Sequence, residues 1–253
     1  MNFRLGSTSY VYPADVLPNV ERLAGMVEDI ELVLFEVDEA SNLPDARTVI
    51  RLREIADRHK LSYTVHLPLD LRLGAEGEAW ASSVEKARRI IRSTRPLNPW
   101  AYIVHLYPEE TQGQDRWREM CLRALEILAE ETGDPSLLAL ENLENCPLEH
   151  LIPIMEQARA RLCLDVGHLW RAKVDPLPAL RAYLGWTRVI HLHGVNQRDH
   201  ESLTWVPSHA LRAVLEELIR QRYKGVVTLE VFSVEDFFSS WRRIRDLLRE
   251  LDH

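Results

Sequence analysis

Cysteine is scarce in this chain, and the three present, Cys121, Cys146 and Cys163, include no CxxC pair. Neither a disulfide framework nor a structural zinc knot can be built from them, so they read as packed thiols. Long apolar runs are missing too: no stretch approaches the about 18 residues that a membrane-spanning helix needs. The opening MNFRLGSTSY has neither the charged nor the apolar region of a secretory leader. The expectation is a cytoplasmic protein with no membrane partner. A basic excess is also absent, since 31 Lys and Arg stand against 39 Asp and Glu, for a formal charge of −8. Tracking a phosphate backbone requires a concentrated basic stripe, so nucleic acid is not expected as a partner and a small-molecule substrate is. No low-complexity segment or linker breaks the 253 residues, which predicts one domain spanning 1–253.

What the chain does have is eight short apolar runs: FRLGSTS from Phe3, IELVLFEV from Ile30, SYTVHLPL from Ser62, AYIVHLYP from Ala101, LLALENLEN from Leu137, RLCLDVGH from Arg161, VIHLHGV from Val189 and GVVTLEVF from Gly225. Segments of helical spacing lie between them. From Pro44 to Lys60, Val49, Leu52, Ile55 and Ala56 share a face behind a proline suited to a first turn. Asp115 to Glu131 and Pro207 to Arg222 read the same way, and Ser233 followed by Asp236 is a capping-box start for a last helix. Eight βα units in this length predict an α/β fold, a single (β/α)₈ TIM barrel. An open doubly wound sheet is the rival, disfavoured because no glycine-rich phosphate turn follows the first strand.

Residues two apart on a barrel strand share a face, and the strands' C-terminal ends build the active site. In run after run a polar residue near the strand end follows an apolar or small one by two: Glu36 after Leu34, His66 after Thr64, His105 after Ile103, Glu141 after Ala139, Asp165 after Cys163, His191 and His193 after Val189, Glu230 after Thr228. The opposite phase, with Val65, Val104, Leu140, Leu164, Leu192 and Leu229, is apolar and would face the helices. One buried histidine is usually a hydrogen-bonded core residue. Several carboxylates and imidazoles converging on one mouth would instead be costly without a compensating cation. Mixed carboxylate and imidazole donors suit zinc, manganese, cobalt or iron.

These motifs together resemble the xylose-isomerase-like TIM barrels, the superfamily of sugar epimerases and of endonuclease IV-type DNA-repair enzymes. Glu141 in LALEN, Asp165 and His168 in CLDVGH, the histidines of VIHLHGV and Glu230 in TLEVF carry the resemblance over nearly the whole chain. Within the superfamily, GSTSYVYPADVLPNV, ELVLFEV, YTVHLPLDLRLG and VIHLHGV with the later RDH look like the cobamide-remodelling phosphodiesterases, which cut the phosphoester of the cobamide nucleotide loop.

The resemblance implies one to three divalent ions held by His66, His105, Glu141, Asp165, His168, His193, His200 and Glu230. Glu141 would bridge two of them, and His168 with His200, beside Asp199, would hold a third. The endonuclease pattern has an aspartate two residues before its late histidine where this chain has Arg198, and Asp199 and His200 could as well belong to a solvated loop. Of the paired histidines His193 lies nearer the rim and is the expected ligand, leaving His191 to a supporting or substrate-binding role. Glu141, Glu230 and His168 are the expected catalytic groups. Arg72 or Arg198 would hold a phosphate, and Tyr10, Tyr12, Trp170 and Trp205 would flank the ligand. His59, His150, His209 and His253 read as surface residues.

The expected activity is a metal-dependent phosphodiesterase acting on a small molecule, a cobamide by the narrower resemblance. A sugar or sugar-phosphate isomerase or epimerase, with Glu141 and Glu230 exchanging a proton beside one metal, is the alternative. A barrel that only binds a metal or ligand is the third reading, disfavoured because the inferred ligands leave room for water, as catalytic metal sites do.

Overall fold

The computed structural model describes residues 2–37, 40–109 and 113–251. Eight parallel strands close a barrel in chain order: β1 (Arg4–Thr8), β2 (Asp29–Val33), β5 (Ser62–His66), β6 (Tyr102–Val104), β7 (Leu138–Glu141), β8 (Arg161–Asp165), β9 (Thr187–Leu192) and β10 (Val226–Leu229), the last returning to pair with β1. A two-residue antiparallel pair, β3 (Glu36–Val37) with β4 (Ala40–Ser41), sits apart from the barrel after β2. The crossovers carry α1 (Val16–Leu23), α2 (Ala46–His59), α3 (Gly77–Thr94), α4 (Gln114–Thr132), α5 (Leu148–Ala158), α6 (Val166–Arg171), α7 (Pro176–Tyr183), α8 (Ser208–Arg220) and α9 (Val234–Leu251). The expected barrel is the one observed, and the open sheet is excluded by the β1–β10 pairing.

Local chemistry sets the helix ends. Asp45, rather than Pro44, caps α2: its carboxylate accepts the Thr48 amide at 2.7 Å, which leaves the proline one residue outside the helix. Ser233 does start α9, its Oγ accepting the Asp236 amide at 3.1 Å.

Side-chain alternation divides the buried residues into two bodies. Val65, Val104, Leu140, Leu164, Leu192 and Leu229 join the apolar layer between strands and helices, as the alternation predicts. Inside the barrel, Ala101, Ile103, Ala139, Cys163, Val189 and Val226 form a separate apolar plug toward the strands' N-terminal ends. Most of the interior polar groups lie above it, toward the C-terminal mouth, with Asp29 at the start of β2 an exception. In β2 the alternation runs opposite to expectation. Ile30, Leu32 and Leu34 are fully buried in the outer layer, so Asp29 and Glu31 point into the barrel. Glu36 stands outside, paired with Arg89 of α3.

Candidate metal centre

The mouth holds a cavity of about 400 Å³ whose lining mixes His66, His105, Glu141, His168, His200 and Glu230 with Val33, Leu69, Tyr107, Leu143 and Phe232. Glu141, at the end of β7, is buried at its centre and uses its two oxygens in different directions. Oε2 faces His105 Nε2 at 2.9 Å and His66 Nε2 at 3.4 Å. Oε1 faces His191 Nδ1 at 3.3 Å and His168 Nδ1 at 4.0 Å. His191 is anchored from behind, its Nε2 lying 2.9 Å from Glu31 Oε2, and its Nδ1 also stands 3.1 Å from Glu230 Oε2.

A second group forms where β8 runs into α6. The Asp165 carboxylate caps α6 by accepting the His168 amide at 2.6 Å, so one residue ends the strand, starts the helix and lines the site. His193 Nε2 lies 3.2 Å from Asp165 Oδ1. Asp199 reaches both His193 Nδ1, at 3.2 Å, and His168 Nε2, at 3.7 Å. His200 joins them because its backbone is left-handed, φ 57°, turning the loop back toward the mouth; its ring centre is 4.3 Å from that of His193. Asn142 braces this corner, donating to the Asp165 carbonyl at 3.0 Å and accepting the Asp165 amide at 2.9 Å. Gly167 leaves the space that the His193 ring occupies: a Cβ there would lie 2.2 Å from its Cε1 and Nε2.

The donor set fits divalent cations on two counts. Buried polar atoms that should be paired lack a well-aligned hydrogen bond, even where an opposite group is close: Glu31 Oε1, Asp165 Oδ2, His193 Nε2, His200 Nδ1 and Glu230 Oε2. Two histidines are also turned for it. His66 and His168 each face a backbone carbonyl with Nδ1, those of Leu67 at 2.7 Å and Asn142 at 2.9 Å. Such a bond fixes Nδ1 as the protonated nitrogen and presents Nε2 as a lone pair to a metal. Cys163 lies close enough to Glu141 and His191 to complete a donor trio, but burial pushes its thiol well up, so it stays protonated.

Without a cation the carboxylates favour protons on His66, His168, His191 and His193, whereas burial lowers His200. Burial opposes charge on His66, but its hydrogen bond to Glu141 and the nearby Glu31 and Glu230 overcome it and lift the ring to about 9. His193 is likewise raised to about 9, by Asp165 above all, against burial. Burial disfavours charge on Glu141 and Glu230 too, yet His191 and its neighbours hold both carboxyls below the usual range. Coordination requires the neutral ring, so metal uptake must expel these protons. The apparent affinity for Zn²⁺ is expected to climb from pH 6.5 to about 9 and then level. A raised histidine pKa stabilises the fold fully below the unfolded value of 6.5, and that contribution is lost as pH rises through about 9. The metal-free protein should therefore lose thermal stability over the window in which affinity grows. Chelator competition and melting curves check both; a flat profile in each would contradict the protonated site.

His66, His105, Glu141, Asp165, His168, His191, His193, His200 and Glu230 thus converge on one mouth. The proposed ligand-binding residues divide. Tyr10 sits edge-on to Phe232, ring centres 6.5 Å apart, at the rim. Tyr12 instead stacks under the Arg22 guanidinium, Trp170 packs against the outer core, and Trp205 is exposed without lining the cavity. Arg72 pairs with Glu109 in the neighbouring groove, and Arg198 is 77% exposed beside Glu201. The guanidinium at the mouth is that of Arg171 on α6, 3.2 Å from Asp199. Alternation pointed away from Glu31, and nothing in it signalled Asn142, Tyr107 or Phe232. Of the surface histidines, His59, His150 and His209 are exposed and His253 lies outside the described residues.

A family profile described as xylose isomerase-like TIM barrel matches residues 25–251. Among solved structures, a D-tagatose 3-epimerase-like protein superposes with a TM-score of 0.83 at 21% identity, covering 99% of this chain and 98% of that one. Endonuclease IV from Thermus thermophilus gives 0.76 at 22% identity, over 98% and 99%. The 3-keto-D-glucoside 4-epimerase of E. coli gives 0.74 at 16% identity, over 98% and 99%. At these identities the likeness is one of fold. No curated protein matches the chain. No helix among the described residues is long and apolar enough to cross a membrane.

Proposed function

The chain belongs to the xylose isomerase-like TIM barrel family, and from that membership we propose that it is a metal-dependent hydrolase cleaving a phosphodiester in a small molecule. The observation that carries this reading is Glu141. One buried carboxylate turns Oε2 to His66 and His105 and Oε1 to His191 and His168, the disposition of a group shared between two cations. His66, His105 and Glu141 would hold one ion; Glu141, Asp165 and Glu230, which cluster around His191, a second; and His168, His193, Asp199 and His200 a third. Bound divalent ions lower the pKa of water toward neutrality and offset charge on the attacking and leaving oxygens of a phosphodiester. Around them the chain's own groups orient and exclude. Glu31 fixes His191, and His191 holds Glu141 and Glu230 in place. Leu69, Tyr107, Leu143 and Phe232 add apolar and aromatic surface to the lining, against which an uncharged part of a ligand would pack. The narrower substrate, a cobamide, rests on the likeness of the sequence motifs to the cobamide-remodelling phosphodiesterases.

A sugar epimerase is the second reading, favoured by the epimerases among the similar folds and by Glu141 and Glu230 flanking His191 as an acid and base pair would. Such an enzyme needs one cation and has no use for His66 and His105 as ligands. Elemental analysis of the purified protein separates the two. More than one divalent ion per chain is expected, with His66→Ala or His105→Ala losing about one equivalent while remaining folded, since each ring stands at the mouth rather than in the apolar plug. Full metal retention in both variants, with no hydrolysis of a cobamide, would favour the epimerase.

A further inference from the structure

The opposite end of the barrel carries an unusual concentration of positive charge for a chain of net charge −8. The strands' N-terminal ends bring together Arg4 at the start of β1, Arg161 at the start of β8, Arg188 near the start of β9, and Arg222 and Lys224 in the loop before β10. Apart from Arg4, these cations line a cavity of about 380 Å³ whose wall includes Trp100, Trp186 and Tyr223. Two guanidiniums sandwich Trp100, Arg4 at 4.1 Å and Arg188 at 4.2 Å from the ring centre, and Arg161 lies over Trp186 at 5.4 Å.

Among the described residues none of the five cations has a carboxylate within ion-pairing distance. Asp134 acts on Arg161 and Arg188 only from farther off, and its own oxygens are taken by the Ser136 amide and hydroxyl, each at 2.8 Å. Asp29, buried inside the barrel, acts on Arg4 but is engaged by Ser62 and Thr64. Arg4 donates to Ser62 Oγ at 2.7 Å and Arg188 to the Trp100 carbonyl, while Arg222 and Lys224 are exposed, so the positive charge at this end is met by neutral groups and solvent. Burial, together with Arg161 and Arg4, lowers the pKa of Arg188, although Asp134 pulls the other way. Packing like charges together around an open, half-buried cavity costs stability that an anion would return.

We propose that this basal cavity is a binding site for a small oligophosphate, distinct from the metal centre at the other end of the barrel. Planar guanidinium forks match phosphate oxygens two at a time, and Lys224 adds a mobile point charge. A single phosphate would satisfy only part of the set of four cations that line the cavity, whereas a chain of two or three phosphates reaches several. The cavity is of small-ligand size, too confined for a nucleic-acid groove. Trp186, 45% exposed, adds an aromatic face that a nucleotide ring could use but an inorganic chain could not. The proposal is independent of the reaction assigned to the mouth.

Calorimetric titration of the metal-loaded protein with tripolyphosphate, and separately with ATP, tests it. Tripolyphosphate also binds metals, so three proteins are compared: the wild type, Glu141→Gln, and the double variant Arg161→Gln with Lys224→Gln. The double variant removes two charges from the cavity rim and leaves Arg188 and Trp100 in place. Expected are saturable binding by the wild type, unchanged binding by Glu141→Gln, and binding weakened by about tenfold or more in the double variant, the scale of losing charge-assisted hydrogen bonds. Equal affinities for the two ligands support a site that reads the phosphate chain alone; tighter ATP supports one in which Trp186 also takes the ring. Absence of saturable binding, loss in Glu141→Gln but not in the double variant, or equal displacement by chloride at matched ionic strength would overturn the proposal.

Discussion

Glu141→Gln is expected to lower turnover of a phosphodiester by about two to three orders of magnitude, the scale of removing a principal electrostatic group from a dry site, and to leave the protein short of metal. Glutamine keeps the shape of the side chain and can still accept from His105, so the barrel should fold. What it lacks is the second anionic oxygen. In the native protein Oε2 serves His66 and His105 while Oε1 faces His191 and His168. An amide NH₂ turned to either group presents hydrogens where a cation or an imidazole proton should be met. The loss is also coupled, because His191 is held among Glu31, Glu141 and Glu230 together. Elemental analysis and steady-state rates check this. Wild-type metal content combined with wild-type turnover would remove Glu141 from the centre of the site.

Gly167→Ala, a change of one methyl group, should cost nearly as much. The new Cβ would stand 2.2 Å from the His193 ring, closer than carbon and nitrogen approach, and His193 is fully buried with no room to retreat. The ring must tilt or α6 must shift. A tilt moves Nε2 away from Asp165; a shift carries His168 out of line, since its position follows from the cap that Asp165 makes on α6. Overpacking of this kind costs about 1–3 kcal/mol. A displacement of about 1 Å at a reacting centre is worth about a hundredfold in rate. Melting temperature and kcat should therefore both fall. Unchanged values for the two would mean that His193 has another place to go and that the corner is not tightly built.

Much of this site was legible because a barrel converts alternation into position. His66, His105, Glu141, Asp165, His191 and Glu230 each follow an inward small or apolar residue by two, and each reaches the mouth. Where β2 broke the pattern, the reason is physical. Glu36 lies three residues beyond the strand, and the inward phase of β2 is acidic, Asp29 and Glu31, where an apolar interior was expected. Burial lifts the Asp29 carboxyl to about 7, and the hydroxyls of Ser62 and Thr64 satisfy it. Partners 33 and 35 residues away cannot be read from the DIELV run itself. Asp199 and His200 were ambiguous for another reason. Their place depends on a left-handed turn at a residue other than glycine, which tertiary contacts impose and composition does not announce. Arg72 and Arg198 looked equally available in sequence. Each is engaged by a neighbouring acid, Glu109 or Glu201, and Arg171 on α6, beside the mouth, is likewise paired with Glu144 and Asp199.

The central claim, that the mouth hydrolyses a phosphodiester rather than moving a proton between carbons, is tested most directly by where solvent oxygen goes. Metal-assisted hydrolysis places one oxygen from water on the released phosphate, whereas epimerisation through a carboxylate needs none in its product. Incubation of the metal-loaded protein with a cobamide in ¹⁸O-water, followed by mass analysis of the products, should give a phosphomonoester carrying a single label, with the reaction abolished by a chelator. A cobamide left intact under every divalent metal tried, together with equilibration of a ketose and its epimer, would contradict the claim and make Glu141 and Glu230 the acid and base of an isomerase.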